Sequence, residues 1–112
     1  MVRIRKSDAN RVDIEYNQNL DAVTSATTGD AIDMGYYSVK AVFIVVSGNT
    51  GAVTITIQAS HDGTNWMDLN SKTYTATNGY DVFHYTNYYP FMRTKTSTQS
   101  SSTVSTVITG KS

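Results

Sequence analysis

The sequence predicts an all-β fold: a single antiparallel β-sandwich, jelly-roll or immunoglobulin-like, of about seven to eight strands with an N-terminal extended arm. Three observations predict it. In Ala52–Ser60, Val53, Ile55, Ile57 and Ala59 alternate with Thr54, Thr56 and Gln58, and successive side chains of a strand point to opposite faces. Helical patterning is missing beyond a turn or two. Thr, Val, Ile and Tyr dominate, with Glu15 the only glutamate and Pro90 the only proline, a composition that favours pleated surfaces. Finally, turn signals recur at even spacing: Ser47–Gly51, His61–Asn65, Asn78-Gly79 and Asn87–Pro90.

Along the chain, Val12, Ile14 and Tyr16 alternate and predict a strand near 11–17. Residues 1–21 otherwise read as an arm or edge strand, orderable against a neighbour, and 22–112 as the sandwich. Thr24–Asp30 reads as a loop or an edge strand. Ala31–Met34 gives a short strand with Ile32 and Met34 inward, followed by a turn at Gly35-Tyr36-Tyr37. Ser38–Ser47 carries the strongest strand signal. Ala41, Phe43 and Val45 fall on one face and Val42, Ile44 and Val46 on the other. Both faces of such a strand are expected to be covered, by a loop, an arm or a subunit interface.

After the Ser47–Gly51 hairpin comes Ala52–Ser60. The Asp62-Gly63 turn follows, its glycine supplying a positive φ, and then a strand over Trp66–Thr73. Gly79–Tyr85 is the next strand. Phe91–Ser97 alternates Met92, Thr94 and Thr96 against Phe91, Arg93 and Lys95. Thr103–Thr109 closes the domain with Val104 and Ile108 inward.

A chain of 112 residues is one domain with one core. Its formal charge is zero, against general nucleic-acid binding. The distribution is uneven, with Arg3, Arg5, Lys6 and Arg11 near the start and no acid after Asp81. Without cysteine there is no disulfide scaffold, zinc ribbon or cysteine nucleophile. The start lacks an apolar signal core, and the longest apolar run, Ala41–Val46, is too short to span a bilayer. A soluble protein without membrane partners is the expectation.

The chemistry-bearing residues point away from catalysis. His61, His84, Glu15 and the aspartates form no nucleophile–base order, paired-carboxylate constellation or phosphate loop, so no enzyme and no cofactor is expected. Asp62 and Asp68 flank a turn without the acid spacing of a calcium loop, and no metal is expected. Trp66, directly after a turn, reads as a plug at one end of the core or as a sugar-stacking platform. Tyr80, Phe83, Tyr85, Tyr88, Tyr89 and Phe91 are too many for one core face, and adjacent Tyr88 and Tyr89 must diverge. Exposed tyrosine is interface material.

Segment 52–110 resembles a recurrent module of bacteriophage and prophage structural proteins. The pieces that carry the resemblance are AVTITIQAS, HDGTNWMDL, YYPFMRTKT and STVSTVITG. In this strand Thr94 and Thr96 stand where valine is usual, which makes a partly wet face an expectation. The Asp-Gly-Thr-x-Trp turn is shared with discoidin-like and other carbohydrate-binding sandwiches and with fibronectin-type modules. The resemblance implies a virion structural protein. Foremost is a capsid decoration (cement) protein on the head surface, bound to the major capsid protein as a homo-oligomer, dimer or trimer. In that role Arg3, Arg5, Lys6 and Arg11 would meet acidic capsid patches, and Tyr88 and Tyr89 would make apolar contacts. The alternative is a carbohydrate-binding or host-adhesion module of a tail or baseplate, or a neck or tail component.

Overall fold

A computed structural model describes residues 2–5, 13–99 and 101–112, with the backbone alone for 2–5 and 13–15. The described residues form nine strands: β1 (Val2–Arg5), β2 (Asp13–Val23), β3 (Ile32–Asp33), β4 (Val39–Ser47), β5 (Ala52–Ser60), β6 (Trp66–Thr75), β7 (Gly79–Tyr85), β8 (Phe91–Ser97) and β9 (Thr103–Lys111). Two antiparallel sheets hold them, a five-stranded one in the order β1-β2-β9-β4-β7 and a four-stranded one in the order β3-β8-β5-β6.

The pairing is nested. β2 pairs with β9, β3 with β8, β4 with β7 and β5 with β6, all antiparallel. The chain is thus one long hairpin rolled into two layers, which is the jelly-roll arrangement of two Greek keys rather than the immunoglobulin one. β1 adds an edge strand beyond β2, with Arg5 opposite Asp13. The predicted arm-or-edge segment 1–21 thus contains β1 and most of β2, and β2 runs on to Val23. Register shifts interrupt it between Gln18 and Val23, where Ala22 adopts a φ of 49°.

Alternation sets the core as expected. Val42, Ile44 and Val46 of β4 and Val53, Ile55, Ile57 and Ala59 of β5 are buried, together with Met92, Val104 and Ile108. Thr94 and Thr96 also point inward and are buried, so the expected wet face is dry there. Their hydroxyls find protein partners instead of water. Thr94 Oγ1 donates to Asn19 Oδ1 at 2.7 Å and lies 2.7 Å from Thr106 Oγ1 of the opposite sheet. Thr96 Oγ1 accepts from Thr27 N at 3.0 Å. Polar residues can replace valine here because each hydroxyl is paired: Thr94 ties the two sheets through Asn19 and Thr106, and Thr96 ties β8 to the segment at Thr27.

One inward position on β4 is a lysine. Lys40 is 1% exposed. Its Nζ donates to Tyr37 O at 2.8 Å and lies 6.0 Å from the Tyr89 ring centre. Removal from water lowers its pKa from the ordinary 10.5. The folded state therefore disfavours the proton that the unfolded chain keeps up to 10.5. The penalty is fully present below the folded pKa and is relieved as pH climbs from there toward 10.5. Lys40→Met removes the titrating group and is expected to flatten that alkaline rise, read from urea unfolding across pH.

Candidate functional site

Cross-strand partners share a face of a sheet. On the outer side of the five-stranded sheet, register makes three rows: Tyr16–Thr109–Ala41–His84, Gln18–Val107–Phe43–Val82, and Ser105–Val45–Tyr80. Of the eight exposed large apolar side chains among the described residues, five lie here: Tyr16, Val39, Val45, Tyr80 and Val82. Val45 is 42% and Tyr80 73% exposed. Phe43 and Val107, half-buried between them, floor a shallow groove of about 440 Å³ bounded by Tyr16 and Tyr80. No carboxylate stands in these rows. The face is apolar at its centre with hydroxyls and amides around it, the anatomy of a protein-binding patch.

Of the covers expected for the two faces of β4, the chain itself supplies one, on the inner side; a subunit interface, also expected, would involve a second chain. The inner face is core, and nothing among the described residues lies over Phe43 and Val45. β4 does sit centrally, between β9 and β7.

The remaining exposed apolar side chains, Tyr36, Met67 and Tyr88, belong to one end of the sandwich. There the β3–β4 and β7–β8 connections shape a depression lined by Tyr36, Asn87 and Tyr88. A second depression, lined by His61, Met67, Tyr88 and Tyr89, adjoins it. The adjacent tyrosines diverge: Tyr88 is 73% exposed, whereas Tyr89 packs against the core and meets Tyr85 edge to face at 6.1 Å. Burial first, and Tyr89 second, push the Tyr85 hydroxyl up to about 12. It therefore stays a donor, to Asn70 Oδ1.

Of the basic residues, the two with described backbone are placed apart from this end group. Arg3 and Arg5 lie on β1, at the opposite edge of the sheet from β7, which leads to Tyr88. Four inter-strand steps separate those edges, about 19 Å. Lys6 and Arg11 lie outside the described residues.

Trp66 does not plug the core. It is half-buried on the outer side of the four-stranded sheet, where the Arg93 guanidinium lies 4.1 Å from its ring centre. Arg93 Nε donates to Gln58 Oε1, and Gln58 Nε2 donates to Asp68 Oδ1, each at 2.8 Å. Arg93 thus covers one face of the ring, and the Trp66–Arg93–Gln58–Asp68 chain staples three strands. Register explains the outcome: Trp66 pairs with Ser60, which shares the outer side with Gln58.

The preceding turn is built as expected. Asp62 Oδ1 accepts from Thr64 N and Asn65 N at 2.8 Å, and Gly63 has a φ of 80°. The Asn65 backbone N–H first, then Thr64, hold the carboxyl far below its usual range. Those bonds occupy Asp62 structurally. No group of three or more His, Cys, Asp or Glu capable of holding a metal occurs among the described residues.

Sequence reasoning singled out Phe43 and Val45 as needing a cover, but it took Tyr80 only as one of an aromatic cluster and assigned no role to Val82. Their alternation against Phe83 and Tyr85 was a readable signal. Pairing of β7 with β4 was not, because the intervening β5–β6 hairpin belongs to the other sheet.

The fold has a solved counterpart. The crystal structure of the SPBc2 prophage-derived protein YomS is similar to this chain, with a TM-score of 0.57 and 17% sequence identity, over 94% of this chain and 100% of that one. At that identity the likeness is one of fold. No family model and no curated protein sequence matches the chain.

Proposed function

We propose that this protein is a structural component of a bacteriophage particle, a capsid decoration protein that binds the head through the outer face of its five-stranded sheet. The observation that carries the reading is the clustering of exposed Tyr16, Val39, Val45, Tyr80 and Val82 on that one face. Support also comes from the jelly roll, an architecture used by viral capsid proteins, and from the likeness to a prophage-derived protein.

Size bears on mechanism. Four strands about 4.8 Å apart and about seven residues long, at about 3.3 Å per residue, present roughly 400–450 Å². A stable one-to-one complex buries about 800 Å² per partner. A single contact through this face is therefore weak. Many identical contacts on a repeating shell, or a homo-oligomer engaging several subunits at once, turn weak sites into firm attachment. The major capsid protein is the proposed partner. Tyr36 and Tyr88, at the end of the sandwich, are free to extend the contact to a neighbouring subunit.

The test is co-sedimentation with emptied capsids. Val45→Glu places a charge in the middle of the patch, at a position exposed enough to leave stability within about 0.5 kcal/mol. Binding is expected to fall at least about tenfold, the effect of about 1.4 kcal/mol per site. Undiminished binding by the folded variant contradicts the assignment of this face.

A further inference from the structure

Among the described residues the sheets end on β1 and β7 in one layer and on β3 and β6 in the other. An open edge offers unpaired N–H and C=O groups to another strand, and proteins blunt such edges by shortening, charging or bulging them. Three of these edges are blunted. β1 has four residues, two of them Arg3 and Arg5. β3 has two residues. β6 carries Lys72, and its ladder with β5 shifts register at Leu69, between the Ile57–Asn70 and Gln58–Asp68 pairs.

β7 is left open. It runs seven residues, Gly79–Tyr85, without lysine, arginine or proline. Its ladder with β4 is unbroken from Lys40–Tyr85 to Val46–Gly79. In an antiparallel ladder every second residue turns its N–H and C=O away from the partner. No described strand pairs with that free row, and no loop backbone bonds to it. An inward charge can also guard an edge, but Asp81 is engaged by the Tyr74 hydroxyl, which donates to it. The outward side chains next to the free row are Tyr80 and Val82, 73% and 41% exposed.

We propose that β7 pairs antiparallel with β7 of a second copy of this chain, about a two-fold axis at Val82, joining two five-stranded sheets into one continuous sheet. Residues that face the same side must stand opposite each other. A centre at Val82 sets Val82 against Val82 and Tyr80 against His84. A centre at Asp81 would oppose two carboxylates, which is unfavourable. A centre at Phe83 would leave Tyr80 opposite Thr86, beyond the strand end. A second copy is the occupant that completes the outer face. One copy presents roughly 400–450 Å² and two joined through β7 about 800–900 Å², which reaches the about 800 Å² per partner of a stable complex. Val45, Tyr80 and Val82 then move from near the rim toward the middle, where binding energy concentrates. Use of the dimer for docking rests on the particle-binding reading; the pairing itself does not.

The test uses the full chain without capsids, so its outcome is separate from head attachment. Sedimentation equilibrium at up to about 1 mM is expected to show a monomer–dimer equilibrium, half-associated below that concentration. Val82→Lys sets two ammonium groups opposite each other and is expected to raise the dissociation constant at least about tenfold, with the urea midpoint as the check on folding. Thiol trapping decides independently, because the chain contains no cysteine. Opposed Cα atoms of an antiparallel pair lie about 4.5–5.5 Å apart, within disulfide reach, so Val82→Cys is expected to cross-link under mild oxidation. Tyr16→Cys, on β2 three inter-strand steps from β7, puts its thiols more than about 30 Å apart in the same dimer and is expected to cross-link at least about tenfold more slowly. A monomer at every concentration, a dimer unchanged by Val82→Lys, or equal trapping at the two positions would each overturn the proposal.

Discussion

Ile44→Ala is expected to destabilise the protein by about 2–5 kcal/mol. Ile44 is fully buried in the middle of β4, between Asp81 of β7 and Thr106 of β9 in register. Its side chain belongs to the cluster that joins both sheets. The surrounding strands are held by continuous ladders, so they cannot collapse far into the space left by the deleted carbons. The loss then includes a cavity term as well as the transfer of apolar surface. A domain of this size has only about 5–15 kcal/mol in total, so the variant loses a large part of its margin. Urea midpoints measure it. A shift worth less than about 1 kcal/mol would mean that the two layers are not packed through β4.

Asn19→Ala is the second large expectation, about 2–4 kcal/mol. Asn19 Oδ1 accepts from both the backbone N–H and the hydroxyl of Thr94 at 2.7 Å, and Thr94 is fully buried. Truncation leaves the N–H without its acceptor, at about 1–3 kcal/mol for such a buried group. The Thr94 hydroxyl keeps Thr106 Oγ1 as an alternative, so its loss is partial. The change also removes the Asn19 tie to Asp30 O. Gly29 shows how tight this clamp is. A Cβ there would collide with Asn19 Oδ1. A double-mutant cycle of Asn19→Ala with Thr94→Val separates the bond from the packing. Coupling below about 0.5 kcal/mol would remove the network from the list of what holds the sheets together.

How far the sequence can be read differs between the layers of structure. The strands over Ala52–Ser60, Gly79–Tyr85 and Phe91–Ser97 are legible because period-two patterning is local. So is the Asp62-Gly63 turn, whose requirements are met within four residues. The reading of Trp66 as a core plug fails because its side is set by the pairing with Ser60 across the hairpin, not by its neighbours in sequence. Thr94 and Thr96 are polar by composition but buried, since their partners Asn19, Thr27 and Thr106 are remote in the chain. Lys40 is illegible for the same reason: lysine is seldom fully buried, and only the closure of Tyr37 and Tyr89 over β4 shows it to be so.

The candidate face divides along the same line. A need for cover over Phe43 and Val45 follows from β4 alone. That Tyr16, Tyr80 and Val82 complete the patch follows from β2 and β7 flanking β9 and β4, a property of the rolled hairpin as a whole. The tyrosine pair was legible as a divergence, but not which of the two turns out; packing of Tyr89 against Tyr85 and the core leaves Tyr88 exposed. Where the basic N-terminal residues lie relative to Tyr88 was not legible: the strand order sets Arg3 and Arg5 at the edge far from β7.

The most direct measurement is electron cryomicroscopy of the phage particle that carries this chain. Jelly-roll density on the outside of the head, with the β2-β9-β4-β7 face turned toward the shell and Val45 and Tyr80 in contact with it, is the expected result. Density confined to the tail, or a head-bound copy whose Val45 face looks out to solvent, would contradict it.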